Sequence, residues 1–393
     1  MINNKLITPP ENLSIKEDFF SKEMSTMMAG LAILLMMWHH LFLFPYWLDD
    51  GIGWEYTLGY FGRATSEIAA NFGNICVQVF ALTSGYALMI NPKAYSTWKQ
   101  RFKRLFKFLL AYWIVNILFL IVGCLNEDTM PGIKELALNL IGLSTGPLKN
   151  WVNVPFAWYV CYYIEFVLLT PVLIWGFSSN KKKMDCAMAI CCIIMVYLCR
   201  KIPFAAAYYL YPLLSTVLGI IIAKYSIFNK LHRLATGRLH LALIVSAIAL
   251  LMILRYEVEK LNPLGGPNWN FFIQVFLSLV AALLILFSVE LFQRIRSQRF
   301  KSFFLMLGGL SMYLWFLHGI FFTGKNFLQP LIYAPKEPIL IMILCTAVTL
   351  PVAWILKQFQ TFIDSKIFNS KIPNSSRKAV YRNIITKSNS SDT

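Results

Sequence analysis

Ionisable side chains inside apolar sequence are where this chain could do chemistry. Two adjacent histidines, His39 and His40, interrupt "AGLAILLMMWHHLFLFPYW"; Glu165 closes "AWYVCYYIE", and His318 sits in "LSMYLWFLHGI". An imidazole exchanges its proton near neutral pH, so a histidine held in an apolar segment is a candidate general base. His39 and His40 would lie about 100° apart on a helix, so at most one faces a given site squarely. Spacing alone does not choose between them. A second kind of chemistry is offered by "RFKR": Arg101 and Arg104 are three apart, on one helical face, and paired guanidiniums suit phosphate groups. The plainer reading of these arginines is anchoring at the membrane surface through lipid phosphate. In "FALTSGYAL" the Ser84-Gly85 pair reads first as a close helix crossing.

The elements that must hold these groups are set by composition. Of 393 residues, 58% are hydrophobic and only 14% charged, with a mean hydropathy of +0.58, too apolar for a water-soluble surface. The formal charge of +17 would suggest nucleic acid in a soluble protein. Here the cations alternate between loops: Lys93 to Lys107, Lys181 to Lys183, Lys224 to Arg238, and Arg294 to Lys301. The loops between them hold acids such as Asp49, Glu55, Glu127 and Glu257. That is the positive-inside pattern, and no nucleic-acid partner is needed. The eight cysteines show no zinc spacing and read as thiol-form core residues, so no metal site is expected.

Ten membrane spans are predicted, at about 27–47, 69–91, 104–124, 157–177, 184–200, 204–223, 239–256, 270–293, 302–323 and 338–357, each roughly 17–25 residues as a bilayer core demands. The expected fold is an all-α polytopic membrane helix bundle with N- and C-termini cytoplasmic. Residues 1–26 form a flexible arm, 27–363 the transmembrane domain, and 364–393 a basic, disordered tail. The first apolar run is expected to stay as a helix and not to be removed as a signal peptide. Arg200 and Lys201 are the exception to the charge pattern, falling outside. Ile133 to Leu143 reads as a short interfacial helix. Counting 1.5 Å per residue puts His40 and Glu165 each roughly 20 Å, and His318 roughly 25 Å, from the inner boundary. Each group in lipid costs several kcal/mol unless paired or wet, so all three are expected to line one cavity in the outer half. The alternative is that each histidine only hydrogen-bonds between helices.

Taken in order, "GLAILLMMWHHLF", "VFALTSGYAL", "RFKR", "AWYVCYYIEF" and "LSMYLWFLHGIFF" resemble the membrane-bound acyltransferase-3 family of bacterial envelope O-acyltransferases. The resemblance covers nearly the whole chain. The family pattern places an arginine or lysine, ten residues, then the catalytic histidine. That count selects His40 as general base and finds Ala29 where the basic residue should be. The Arg-x-x-Arg element matches at Arg101 and Arg104, implying acyl-CoA binding, and the Ser-Gly-aromatic element at Ser84, Gly85 and Tyr86, implying packing or lining of the active site. Trp158, Glu165 and His318 become candidates on the acceptor side. The implied activity moves an acyl group, most often acetyl, from cytosolic acyl-CoA to a hydroxyl of an extracytoplasmic glycan or lipid-linked sugar. Acetyl-CoA is then a co-substrate, with no bound cofactor, in the bacterial cytoplasmic membrane. The rival from another class is a transporter or flippase without covalent chemistry, although no symmetric halves are visible. An inactive homologue is the third reading, on account of Ala29.

Overall fold

Hydrocarbon offers backbone amides no water to bond, so a chain this apolar must satisfy them within its own segments, as helices do. The computed structural model describes residues 19–44, 48–49, 51–55, 59–125, 132–140, 158–179, 181–199, 210–234, 238–261, 267–321 and 327–368. Among these residues every regular element is helical. The first group is α1 (Lys22–Leu43), α2 (Gly59–Gly73), α3 (Cys76–Ile90), α4 (Trp98–Leu125) and α5 (Ile133–Leu140). Next come α6 (Trp158–Phe177), α7 (Lys182–Cys199), α8 (Pro212–Lys224), α9 (Ile227–Leu234) and α10 (Arg238–Leu261). The last are α11 (Pro267–Arg294), α12 (Gln298–Leu317), α13 (Gln329–Tyr333) and α14 (Pro338–Phe368). Tight 3-10 turns occupy Pro92–Tyr95 and His318–Phe321. Serine starts two of the helices: Ser21 accepts from the Met24 N–H and Ser297 from the Phe300 N–H, each at 3.3 Å.

Among the described residues seven helical stretches are long and apolar enough to cross a membrane, and an eighth if α8 and α9, bent by 61°, count as one. By length and composition these helices support a multi-pass bundle but do not reach the expected ten. Helices do occupy the expected 184–200 and 239–256 regions, but α7 carries Lys182, Lys183 and Asp185, and the apolar part of α10, His240–Leu254, is short. α1 begins at Lys22 and α14 ends at Phe368, so helix extends a few residues into the expected arm and tail. The remainder of the tail, most of the arm, and Arg200 and Lys201 lie outside the described residues. Ile190, Ile194 and Leu198 on α7, and Ile343, Ile355 and Phe359 on α14, are exposed on the outer surface. Apolar area that extensive belongs against lipid and not water. Cys76, Cys161, Cys192 and Cys345 are buried as expected, whereas Cys124, Cys186 and Cys191 face outward.

Two close crossings organise the interior. α1 and α12 run parallel: Gly30 lies against the Phe304 carbonyl, and Gly308 against that of Thr26. In the second, Gly85 of α3 lies against the Thr216 carbonyl of α8, and Gly219 answers against Leu82. At all four positions a Cβ would overlap backbone, which cannot step aside, so only glycine permits the approach.

Charged contacts gather at the end of the bundle where α1 and α12 begin. Lys224 Nζ donates to the carbonyls of Phe177 (2.8 Å) and Ser179 (2.5 Å) and to Asp185 Oδ1 (2.6 Å). Glu290, 2% exposed, collects His232 (3.2 Å), His240 (3.1 Å) and Arg294 (3.4 Å). Lys107 pairs with Asp364 at 2.5 Å, tying the start of α4 to the end of α14. The short helix expected at Ile133 to Leu143 is seen as α5, with its last three positions outside the described residues. It docks on α4 through Tyr112 and Asn139 and through Trp113 Nε1, which donates to the Leu140 carbonyl at 2.5 Å.

Candidate functional site

Ten residues beyond the Gly30–Gly308 crossing, α1 reaches His40 and α12 reaches His318. Helices that start in register and run parallel climb equally, about 15 Å in ten residues, so the two imidazoles arrive side by side. Their rings stand 5.1 Å apart between centroids, and His40 Nδ1 lies 2.9 Å from His318 Nε2. His318 has no exposed surface, while His40 is partly exposed.

The bonding of His318 fixes which nitrogen carries which proton. Its Nδ1 lies 3.0 Å from the Leu314 carbonyl, one turn back, and a carbonyl can only accept. Nδ1 of His318 therefore holds the hydrogen, and its Nε2 presents a lone pair when the ring is neutral. His40 Nδ1–H donates into that lone pair, which leaves His40 Nε2 unprotonated. A base whose proximal N–H is held by a fixed acceptor keeps its lone pair on the distal nitrogen, the arrangement general-base catalysis requires. His39 is spent elsewhere: its Nδ1 donates to the Ala70 carbonyl of α2 at 2.7 Å, and its ring is 7% exposed. The helical angle between the neighbours thus separates a packing histidine from a paired one.

Glu165 does not join the pair. It is half-buried on α6, and its Oε2 is enclosed without a hydrogen bond among the described residues. From α6, Tyr159 reaches α12, its ring lying 4.2 Å from that of Trp315. Glu165 is six positions on, about 240° round the helix from Tyr159. Two of the three groups expected to converge do so, and the third faces another way. Trp158, at the start of α6, packs edge-on against Tyr159 at 6.0 Å. Gly85 makes the α3–α8 crossing; beside it Ser84 donates to the Phe80 carbonyl of its own helix (2.8 Å), and Tyr86 packs edge-on to Phe20 at 5.1 Å.

At the basic end, Arg104 stacks over the Tyr95 ring at 4.3 Å, and its Nε donates to the Ala94 carbonyl at 3.2 Å. Arg101 lies 5.4 Å over Trp98, with its Nε enclosed and without a partner among the described residues. Burial pushes the Tyr95 phenol up, against the opposing pull of Arg104, so it stays an O–H. From Tyr95 a run of rings leads inward to Phe166 (6.0 Å), Tyr162 (6.4 Å), Tyr159 (5.4 Å) and Trp315 (4.2 Å). Trp315 stands one helical turn before His318. Sequence reasoning missed this run because its members are far apart in the chain. The only local sign was the tryptophan three residues ahead of the histidine.

Over the opposite end of α1, Tyr333 donates to the Leu41 carbonyl at 3.0 Å, and Trp54 packs on Phe42 at 5.4 Å. Lys336 and Glu55 pair at 3.1 Å in the same cover. A family model described as an acyltransferase domain matches residues 28–358, most of the chain. No curated protein and no solved structure matches it.

Proposed function

This chain belongs to the acyltransferase-3 family and is a multi-pass membrane acyltransferase, and from that premise we propose that it moves an acyl group from cytosolic acyl-CoA to a glycan hydroxyl across the membrane. The observation that carries this reading is the His40–His318 pair, in which His40 Nδ1–H donates to His318 Nε2 and the neutral ring keeps its lone pair on Nε2.

In the proposed reaction the acceptor hydroxyl gives its proton to His40 Nε2 as its oxygen bonds to the thioester carbonyl carbon. The tetrahedral intermediate then breaks its C–S bond. The leaving thiolate takes the proton from His40, so CoA departs as a thiol and the imidazole returns to its starting state. His318 is a positioning residue: it accepts the Nδ1–H and favours the imidazolium that forms transiently. Arg101 and Arg104 receive the CoA phosphates, a reading supported by the unpartnered Arg101 Nε and by the cytosolic origin of the donor. Acetyl is the acyl group we favour, and an envelope glycan or lipid-linked sugar the acceptor, with Trp158 offering a stacking face. No part of this scheme uses Glu165.

We read ten passes, with both ends of the chain cytoplasmic in a bacterial inner membrane. What supports this is direction. α6 ends, α7 starts and α8 ends around Lys224, while Glu290 joins the start of α10 to the end of α11. α7 and α10 must then run from the basic end to the other one. Ala29, where the family carries a cation, leaves one donor contact to other residues. The test is transfer of labelled acetyl from acetyl-CoA to bacterial envelope glycan by the purified protein. CoA release that depends on the glycan supports the reading, and glycan translocation without CoA release would instead mark a flippase.

A further inference from the structure

Trp315 is 6% exposed, yet its indole Nε1–H has no hydrogen-bond partner among the described residues. An unpaired buried donor costs roughly 1–3 kcal/mol, so one held beside a site of chemistry calls for a reason. Bonding to an aromatic face does not supply it. Such a bond needs a ring standing nearly edge-on to the indole, but Tyr159 and Phe80 are tilted only 35° and 39° to it, at 4.2 and 5.2 Å. The two tilted rings pack on the indole and leave the N–H in its own plane uncommitted.

Its position supplies the rest. Trp315 precedes His318 by three residues, on the same helical face, with Cβ atoms about 5–6 Å apart. It is also the last member of the run of rings that begins at Tyr95, where Arg104 is held. A donor entering beside the arginines with its phosphates and following that wall would bring its acyl end to the indole and the histidine pair together.

We propose that the Trp315 Nε1–H binds the thioester carbonyl oxygen of the acyl donor and stabilises the negative charge that oxygen gains when the hydroxyl attacks. Trp315 is then a catalytic residue. The step moves no further proton: the carbonyl π electrons shift to oxygen as the O–C bond forms, the N–H donates to that oxygen, and the pair returns as the C–S bond breaks. Trp315 is buried and its indole is held between two rings, so little reorganisation is needed when the charge appears. This inference rests on the acyl-transfer reading above.

The experiment replaces Trp315 by 3-benzothienylalanine, which keeps the bicyclic shape and exchanges N–H for sulfur, with Trp315→Phe as the second variant. Purified proteins in lipid nanodiscs are assayed with acetyl-CoA and bacterial envelope glycan, and CoA affinity is titrated separately. The expected result is a fall in kcat of about 100-fold, the order seen when one oxyanion donor is removed. CoA itself, which has no acyl carbonyl, should bind to both variants as to wild type. Infrared spectra of bound acetyl-CoA labelled at the carbonyl should show a lowered stretch in wild type that is lost in both variants. Wild-type kcat and an unchanged carbonyl stretch in the benzothienyl protein would overturn the inference while leaving the acyltransferase reading standing. Wild-type protein that transfers no acetyl group would remove both.

Discussion

Replacing His318 by alanine tests the link between geometry and chemistry, and its size can be worked from the pair itself. His318 has no exposed surface, so no bulk water takes the place of its Nε2 as the acceptor for His40 Nδ1–H. Leaving a buried donor unpaired costs roughly 1–3 kcal/mol, equivalent to about 5- to 150-fold in rate if it falls on the catalytic base. The freed imidazole also regains its other tautomer, in which the lone pair moves to Nδ1 and away from the hydroxyl, for a further few-fold loss. Together these give a fall in kcat of about 100-fold, with little change in the KM for acetyl-CoA. His318→Gln restores an acceptor oxygen near the Nε2 position and should recover activity to within about tenfold of wild type. The assay is the initial rate of CoA release at saturating acetyl-CoA and glycan, beside a thermal melt of each protein. Full activity in the alanine variant, or a folded glutamine variant no better than alanine, would refute the reasoning.

Gly308→Ala should lower stability by about 1–3 kcal/mol and reduce kcat as well, because the new methyl meets the Thr26 carbonyl and parts the helices that carry both histidines. Gly309→Ala is the control: its Cβ would meet only the end of the flexible Lys357 side chain, at 3.4 Å, and melting and activity should match wild type. Changing Arg101 and Arg104 to Gln should raise the KM for acetyl-CoA more than that for the glycan, read from two substrate titrations. Lys224→Met strands the 3%-exposed Asp185 and should cost roughly 3 kcal/mol in denaturation; adding Asp185→Leu should recover most of it.

Composition and the ordered motifs made the all-helical membrane bundle legible, because apolar runs and alternating cations are local properties that a chain displays along its length. The number of spans was less legible: α7 begins with Lys182, Lys183 and Asp185, and charges at helix ends blur where a span starts. The choice of His40 over His39 came from a motif count; the structure shows His39 held by the Ala70 carbonyl and His40 paired with His318. Depth put His40, His318 and Glu165 at similar heights without assuring contact, and only the two histidines are seen to pair, since depth fixes height on a helix but not the side it faces. The sharper signal was the equal ten-residue interval from Gly30 to His40 and from Gly308 to His318. It becomes readable only once the two glycines are known to face each other. Trp315 carried no such mark, because an unpaired N–H is a property of its surroundings and not of the sequence.

The central claim is that this protein transfers an acyl group with His40 as its base. Its most direct test is transfer of radiolabelled acetyl from acetyl-CoA to bacterial envelope glycan by purified wild-type, His40→Ala and His39→Ala proteins in lipid nanodiscs. The account predicts labelled glycan from wild type, a reduced but measurable amount from the His39 variant, and none from a His40 variant that melts like wild type. Label transferred by the His40 variant at the wild-type rate, or by the His40 variant and not by the folded His39 variant, would contradict it.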